Sequence, residues 1–190
     1  MIHKRLFIAV ELPCTVRKAV CQLGSRVLKN FSGVRSVKAA NIHITLKFLG
    51  SISVDNIDLI SDTISIAAAS FNKFSFEING KIDAFPNKMR ARTVFSAVGE
   101  GRLEFKLLYL SLEEALQGAC RQSGVKAGSN DFIAHITIAR LRHPVDISYA
   151  IKKAGMIPPA RIECRKISLF ESILDHEGVQ YTKLSEFTLK

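Results

Sequence analysis

The chain has 190 residues, of which 47% are hydrophobic, and its 27 Lys and Arg residues outnumber 17 Asp and Glu residues to give a net charge of +10. This hydrophobic content is ample for a folded core and excludes a disordered chain, and the length fits one large domain or two small lobes that share a core. The longest apolar runs, such as residues 64–69, are far shorter than the roughly 20 residues of a membrane span. With no secretory signal pattern at its start, the sequence predicts a globular, cytoplasmic protein that makes no membrane contact.

The excess of basic residues favours a polyanionic partner such as nucleic acid, although a solvated basic surface is the alternative. Basic side chains gather at residues 86–92 and at Arg140 and Arg142. Four scattered cysteines lack any zinc-binding spacing, so we expect reduced structural thiols at Cys14, Cys21, Cys120 and Cys164.

The first half of the sequence predicts a strand, a helix, a second strand and a second helix. Alternating apolar residues predict the strands, and apolar residues three and four positions apart predict the helices. These elements are assigned to residues 5–12, to a helix opened by Pro13 and ended by residues 30–33, to 42–49 and to 57–71. We expect Gly50 to close the second strand, and Ser53 or Asp55 to cap the second helix.

The second half predicts a strand pair, a helix, a strand, a short helix and a final strand pair. The corresponding residues are 74–84 and 93–98, a helix from about Arg102 to Ala119, 132–141, 147–154, and then 162–174 and 179–189. His143-Pro144 is expected to break the middle strand, and residues 175–178 to form the last turn.

One short pattern occurs in both halves: His43-Ile44-Thr45 and His135-Ile136-Thr137. Each copy lies on a predicted strand that follows a strand and a helix, which indicates two duplicated lobes related by a pseudo-twofold axis. Residues two apart on a strand share a face, so each copy presents an imidazole beside a hydroxyl. Simple alternation also places Lys47 on the face of His43, with Ile44, Leu46 and Phe48 on the apolar face.

Two imidazoles suit a reaction in which one group accepts a proton while another donates one, since the pKa of histidine lies near neutral pH. Hydrolysis of a 2′,3′-cyclic phosphate is such a reaction, and Thr45 and Thr137 would donate hydrogen bonds to the phosphate oxygens. Metal catalysis is the competing chemistry, but the motifs lack the carboxylates and histidine spacing of a zinc or two-metal site. We therefore expect no metal and no cofactor.

The sequence resembles the 2H phosphoesterase superfamily, specifically the RNA 2′,3′-cyclic phosphodiesterases historically named 2′-5′ RNA ligases. The resemblance runs through residues 5–13, 43–50 and 85–87, the second motif, and a C-terminal hairpin with Ser172, Gly178 and Tyr181. It implies one α+β domain over residues 1–190, in which two pseudo-symmetric lobes have antiparallel sheets lining a central cleft and helices outside. It also implies metal-independent opening of the cyclic phosphate to a 2′-phosphate, with His43 as the acid and His135 as the base.

Two positions depart from the pattern of that family. Ile133-Ala134 stands where an Arg-Pro pair often precedes the second histidine. Arg140 matches a family arginine, but alternation places it on the face opposite His135, and only a twist or bulge would let it bind phosphate in the cleft.

The substrate is expected to be an RNA end or a small cyclic nucleotide, bound by a monomer. Two alternatives stay open: RNA end-joining through a 2′,5′ bond at the same site, and a non-catalytic RNA-binding protein. Phe48 and Phe132 are expected in the core rather than as platforms for bases, and His3, His143 and His176 on the surface.

Overall fold

A computed structural model describes residues 2–123, 132–176 and 178–190. Within these residues, nine strands and four α-helices follow one another in a mixed α+β order. In chain order they are β1 (His3–Glu11), α1 (Cys14–Leu28), β2 (Val34–Ser36), β3 (His43–Ser53), α2 (Ile57–Ser70), β4 (Phe74–Phe85), β5 (Ala91–Val98), α3 (Arg102–Ser123), β6 (His135–Val145), α4 (Ser148–Ala154), β7 (Ala160–Cys164), β8 (Lys166–Asp175) and β9 (Gly178–Thr188).

The strands pair antiparallel in the order β7-β4-β5-β6-β3-β1-β8-β9, and β2 adds to β6. The expected α+β fold is confirmed. The first lobe contains β3, β1, β8 and β9, the second contains β7, β4, β5 and β6, and the two meet where β3 and β6 pair through Ile44 and Ile136. The halves therefore form one curled sheet that is continuous across the centre of the molecule.

The helices cross between the lobes. Helix α1 follows β1 of the first lobe but packs on β6, and α3 follows β5 of the second lobe but packs on β3 and α2. Helix α1 packs tightly against β6 at Gly24, because a Cβ atom there would lie 1.9 Å from the Cγ2 atom of Ile138. One cluster of buried apolar residues, which includes Ile8, Ile44 and Ile136, continues through both lobes beneath the sheet.

Several predicted boundaries were wrong. Strand β3 continues through Gly50, whose φ of +88° lets the chain pass without ending the strand. Strand β6 continues through His143-Pro144 to Val145, which pairs with Ala91.

The stretch 162–174 forms two strands rather than one, because β7 pairs with β4 at one edge of the sheet and β8 pairs with β1 near the other. The short β2 was not predicted. Helix α2 begins after a 3₁₀ turn, Val54–Asn56. Asn56 occupies its N-cap position, but its side chain makes no capping hydrogen bond. Ser53, one of the two predicted caps, donates a hydrogen bond to Asp55 instead. The β8–β9 hairpin was predicted at the right place, although Glu177 of its turn lies outside the described residues.

The described cysteines are unpaired: Cys14 is exposed, Cys21 half-buried and Cys164 buried. The side chain of Cys120 lies outside the described part of the structure. None of the described helices is long and apolar enough to cross a membrane.

Candidate active site

The two His-x-Thr motifs lie next to each other where β3 and β6 pair. Ile44 and Ile136 are direct partners in this antiparallel pair, and both are fully buried on the side of the helices. Because side chains alternate, the histidine and threonine on either side of each isoleucine point to the other face. The register places His43 across from Thr137 and Thr45 across from His135. All four side chains are half-buried, and they share the concave face of the curled sheet, here called the cleft.

The ring of His43 is oriented by hydrogen bonds at both of its nitrogens. Nδ1 lies 2.8 Å from the carbonyl oxygen of Asn41, and Nε2 lies 2.9 Å from the hydroxyl of Thr45. A proton on Nδ1 donates to the carbonyl, so Nε2 accepts from the Thr45 hydroxyl in the neutral ring. The ring also contacts Phe7 and the edge of Tyr181, with centroid distances of 5.0 and 5.2 Å.

This environment favours the neutral form of His43. The pKa of His43 is lowered from 6.5 to about 4, chiefly by burial and also by the charge of nearby His135, whereas the Asn41 carbonyl and Glu11 act in the opposite direction.

His135 is held in the same way in the second lobe. Its Nδ1 lies 2.7 Å from the carbonyl oxygen of Ile133, and its ring packs edge-on against Phe85 and Phe95 at 5.3 and 5.2 Å. Burial is the main cause that lowers the pKa of His135, and the positive charge of Arg140 adds to it. The backbone carbonyl oxygen of Ile133 orients this ring. Any residue at position 133 would provide this oxygen, so the orientation does not depend on the side chain there.

A β-bulge follows each motif and changes which side chains enter the cleft. In β3, Thr45 and Lys47 pair with consecutive residues of β1, so Leu46 is the extra residue. In β6, Thr137 and Ala139 pair with consecutive residues of β5, so Ile138 is the extra residue. A bulge reverses the alternation beyond it.

The bulge in β6 brings Arg140 to the cleft face. Its charge acts on both His135 and Tyr181, and its guanidinium donates to the hydroxyl of Thr93 at 3.4 Å. Plain alternation would place Arg140 on the opposite face, and the bulge at Ile138 is the kind of irregularity that the sequence analysis required for Arg140 to reach the cleft.

The bulge in β3 has the same effect on Lys47 and Phe48, and both alternation-based predictions were wrong. Lys47 is 3% exposed and pairs with Glu113 of α3 on the helix side of the sheet. Phe48 is 66% exposed and lies on the cleft side, 6.0 Å from the ring of Phe7. Phe48 is therefore not a core residue, and in the first lobe it occupies the position that Arg140 occupies in the second.

Basic residues flank the second lobe of the cleft. Phe85, which packs on His135, leads into the segment 86–92, where the side chain of Asn87 accepts hydrogen bonds from the backbone N–H groups of Met89 and Arg90. Lys88 of this turn forms an ion pair with Asp83 at 3.7 Å. The cap gives the basic segment a fixed backbone beside the cleft, so it is a folded turn rather than a loose loop.

The aromatic walls of the site were not predicted as site residues. Phe7, Phe170 and Tyr181 surround His43, whereas Phe85 and Phe95 stack on each other beside His135. Segments 5–13 and 85–87 and Tyr181 carry the family resemblance and so were marked as important in the sequence. Nothing in the sequence indicated that their aromatic side chains line the site.

The three remaining histidines, His3, His143 and His176, are exposed as predicted. Phe132 is half-buried against the core, stacked on Tyr109. Within residues 2–123, 132–176 and 178–190, no three His, Cys, Asp or Glu side chains are grouped so that they could hold a metal ion.

Comparisons with known proteins identify the family of this chain. A family model described as the 2′-5′ RNA ligase superfamily matches residues 19–175. A curated relative from Archaeoglobus fulgidus, named RNA 2′,3′-cyclic phosphodiesterase, is 32% identical over 96% of this chain and 99% of its own. A relative of the same name from Aeropyrum pernix is 29% identical over 80% of this chain and 85% of its own.

Solved structures share the fold along nearly the whole chain. TT0787 of Thermus thermophilus has a TM-score of 0.76 and 27% identity, with 97% of each chain covered. E. coli LigT complexed with 3′-AMP has a TM-score of 0.73 and 23% identity, with 99% of each chain covered. On this evidence the chain belongs to the 2′-5′ RNA ligase superfamily of 2H phosphoesterases.

Proposed function

We propose that the protein is a monomeric, cytoplasmic RNA 2′,3′-cyclic phosphodiesterase that hydrolyses cyclic phosphates on RNA ends or nucleotides to 2′-phosphates without a metal. The observation that carries the proposal is the shared cleft face of His43, Thr45, His135 and Thr137, with the Arg140 guanidinium beside them. The name borne by the curated relatives supports the same reaction. All five residues come from β3 and β6 of one chain, which supports an active monomer.

In the proposed reaction His135 is the base and His43 is the acid. Neutral His135 takes a proton from water, the water oxygen bonds to phosphorus, and the bond from phosphorus to the ribose 3′ oxygen breaks. Protonated His43 gives its proton to that oxygen, which leaves a 3′ hydroxyl and a 2′-phosphate. The proton then returns from His135 to His43 through solvent, so the cycle closes without another reactant.

The pKa of His43 is important here because the free protein holds this ring neutral near pH 7. A bound phosphate anion lies close to both rings and favours their charged forms, as Glu11 already does for His43. Once Nε2 of His43 carries a proton, the Thr45 hydroxyl no longer donates to it and can donate to a phosphate oxygen instead. Thr137 and Arg140 would stabilise the remaining charge on the phosphate in the transition state.

The test is incubation of the protein with a 2′,3′-cyclic nucleotide and an RNA bearing a 2′,3′-cyclic end, in the presence of a chelator. We expect a 2′-phosphate product, and a loss of roughly 10² to 10⁴ in rate for His43→Ala and for His135→Ala. His143→Ala is the matched control, since His143 is an exposed histidine on the same strand as His135. Absence of product from every cyclic substrate would refute the proposal.

The description of the matched family favours a second reaction at the same site. In RNA end-joining a ribose hydroxyl takes part in place of water, and a well-positioned hydroxyl can compete with the solvent. Analysis of products from a mixture of a cyclic-ended RNA and a 5′-hydroxyl RNA distinguishes a 2′,5′ bond from hydrolysis. RNA binding without turnover, unchanged in both histidine variants, would indicate a non-catalytic RNA-binding protein.

A further inference from the structure

An ion pair is buried directly behind the first motif. Lys47 of β3 pairs with Glu113 of α3, and the two side chains are only 2% and 13% exposed. Removing two charges from water is costly, and a buried ion pair is therefore weak evidence for added stability. Such a pair is better explained by structural specificity, because it can favour one of two arrangements of the chain over the other.

Two registers are available to β3 after Thr45. Without a bulge, Lys47 would reach water in the cleft and Phe48 would enter the apolar interior, which is the arrangement that the hydrophobic pattern favours. The structure has the opposite arrangement, with Lys47 buried and Phe48 66% exposed. In β3 an interaction on the helix side must offset the cost of burying Lys47 and exposing Phe48, and the carboxylate of Glu113 is placed to provide it.

The matching bulge in β6 shows that the charge is particular to the first lobe. Ala139 occupies the position equivalent to that of Lys47, and it is fully buried. A methyl group is compatible with the interior without a charged partner. Of the two bulges that follow the motifs, the one in β3 places a cation inside the protein and the one in β6 does not.

Glu113 also connects the ion pair to the second motif. The Tyr109 hydroxyl donates a hydrogen bond to Glu113, and burial together with this carboxylate raises the pKa of Tyr109. The Tyr109 ring stacks on Phe132, with a centroid distance of 4.6 Å and an angle of 6° between the ring planes. Phe132 directly precedes Ile133, whose carbonyl oxygen accepts from Nδ1 of His135.

We propose that Lys47 and Glu113, with Tyr109, are positioning residues that fix the bulged register of the first motif strand and join it to the segment that orients His135. Lys47 acts through the backbone of β3 and does not contact substrate. The effect on rate rests on the proposed function, whereas the effect on register does not.

The test is the double variant Lys47→Met/Glu113→Leu, which removes both charges together and leaves apolar side chains that fit the interior. The register is measured as an NMR NOE between the rings of Phe7 and Phe48, which are 6.0 Å apart. We expect the NOE to be lost and kcat for a 2′,3′-cyclic nucleotide to fall by about tenfold or more, with KM changing less, because a small misplacement of a catalytic group is costly. Lys47→Arg should retain both the NOE and kcat.

The matched control is Lys4→Met/Glu171→Leu, which removes a more exposed ion pair that joins β1 to β8 at 2.7 Å. It should leave the NOE and kcat unchanged. Tyr109→Phe removes only the hydroxyl and should give a smaller loss of kcat in a folded protein.

A double variant that keeps the Phe7–Phe48 NOE would overturn the inference, as would loss of the NOE with unchanged kcat. If the double variant does not fold, an unchanged kcat in Tyr109→Phe counts against the network. If the unaltered protein hydrolyses no cyclic phosphate, the proposed function fails, and the NOE still tests the register.

Discussion

Acidification should destabilise this protein in part through His43. Burial lowers the pKa of His43 in the folded protein to about 4, whereas in the unfolded chain it has the ordinary value of 6.5. On acidification the unfolded state therefore takes up this proton first. The contribution of neutral His43 to stability is fully present above pH 6.5 and is lost as the pH falls towards about 4.

The size of the effect follows from the two pKa values. Each pH unit between them corresponds to about 1.4 kcal/mol, so the full loss is roughly 3 kcal/mol, and roughly 2 kcal/mol is lost by about pH 5. That is a large part of the total for a protein whose free energy of unfolding is typically about 5–15 kcal/mol.

The assay is urea unfolding of the unaltered protein and of His43→Gln at several pH values from about 7.5 to 5. Glutamine cannot titrate, and the other titrating groups are common to both proteins, so the difference in unfolding free energy should shrink by roughly 2 kcal/mol over this range. A constant difference for His43→Gln would refute the burial argument.

Three further predictions concern catalysis, phosphate binding and core packing. The pH dependence of kcat/KM should be bell-shaped, because the two histidines act in opposite protonation states, and a flat profile between about pH 5 and 9 would contradict this. Arg140→Met should raise KM for cyclic substrates by about tenfold or more, the value of a charge-assisted hydrogen bond, whereas Arg161→Met at the exposed edge of the second lobe should not. Gly24→Ala should cost roughly 1–3 kcal/mol of unfolding free energy, because the new methyl group overlaps Ile138. Gly118→Ala on α3, where no described side chain or neighbouring element lies within 4 Å of the Cβ position, should be neutral or stabilising, and equal effects of the two substitutions would count against the packing argument.

The sequence predicted most elements and both motifs because their signals are local. Apolar spacing of three and four residues marked the helices, and alternation marked the strands. The direction of side chains beyond Thr45 could not be predicted in this way. Alternation assumes that no residue is added, and whether Leu46 bulges depends on Glu113, which is 66 residues away on another element.

Which strands pair with each other could not be predicted from the sequence for a similar reason. Residues 162–174 have a continuous strand pattern, but Cys164 pairs with Phe74 at one edge of the sheet and Ser168 pairs with Ala9 near the other. The stretch is divided into two strands because its first part pairs within the second lobe and its last part pairs within the first lobe. The aromatic wall around His43 likewise comes from β1, β8 and β9, which no local pattern brings together.

The second residue after each bulge is what makes the two halves of the cleft different. Each lobe supplies the same histidine and threonine, but the first adds the exposed phenyl ring of Phe48 and the second adds the guanidinium of Arg140. A cation suits the phosphate, and an exposed ring suits the flat face of a base, so the cleft should orient a nucleotide in one direction.

Phe48→Ala tests this orientation. It should raise KM for a cyclic nucleotide by about fivefold to a hundredfold, the range expected for loss of one stacked base, whereas Phe48→Trp should preserve KM. The unfolding free energy should change little, because this ring is 66% exposed, in contrast to the 2% exposed ring of Phe7 beneath it. An unchanged KM in the alanine variant would show that the ring does not contact the base, and the asymmetry of the cleft would then depend on Arg140 alone.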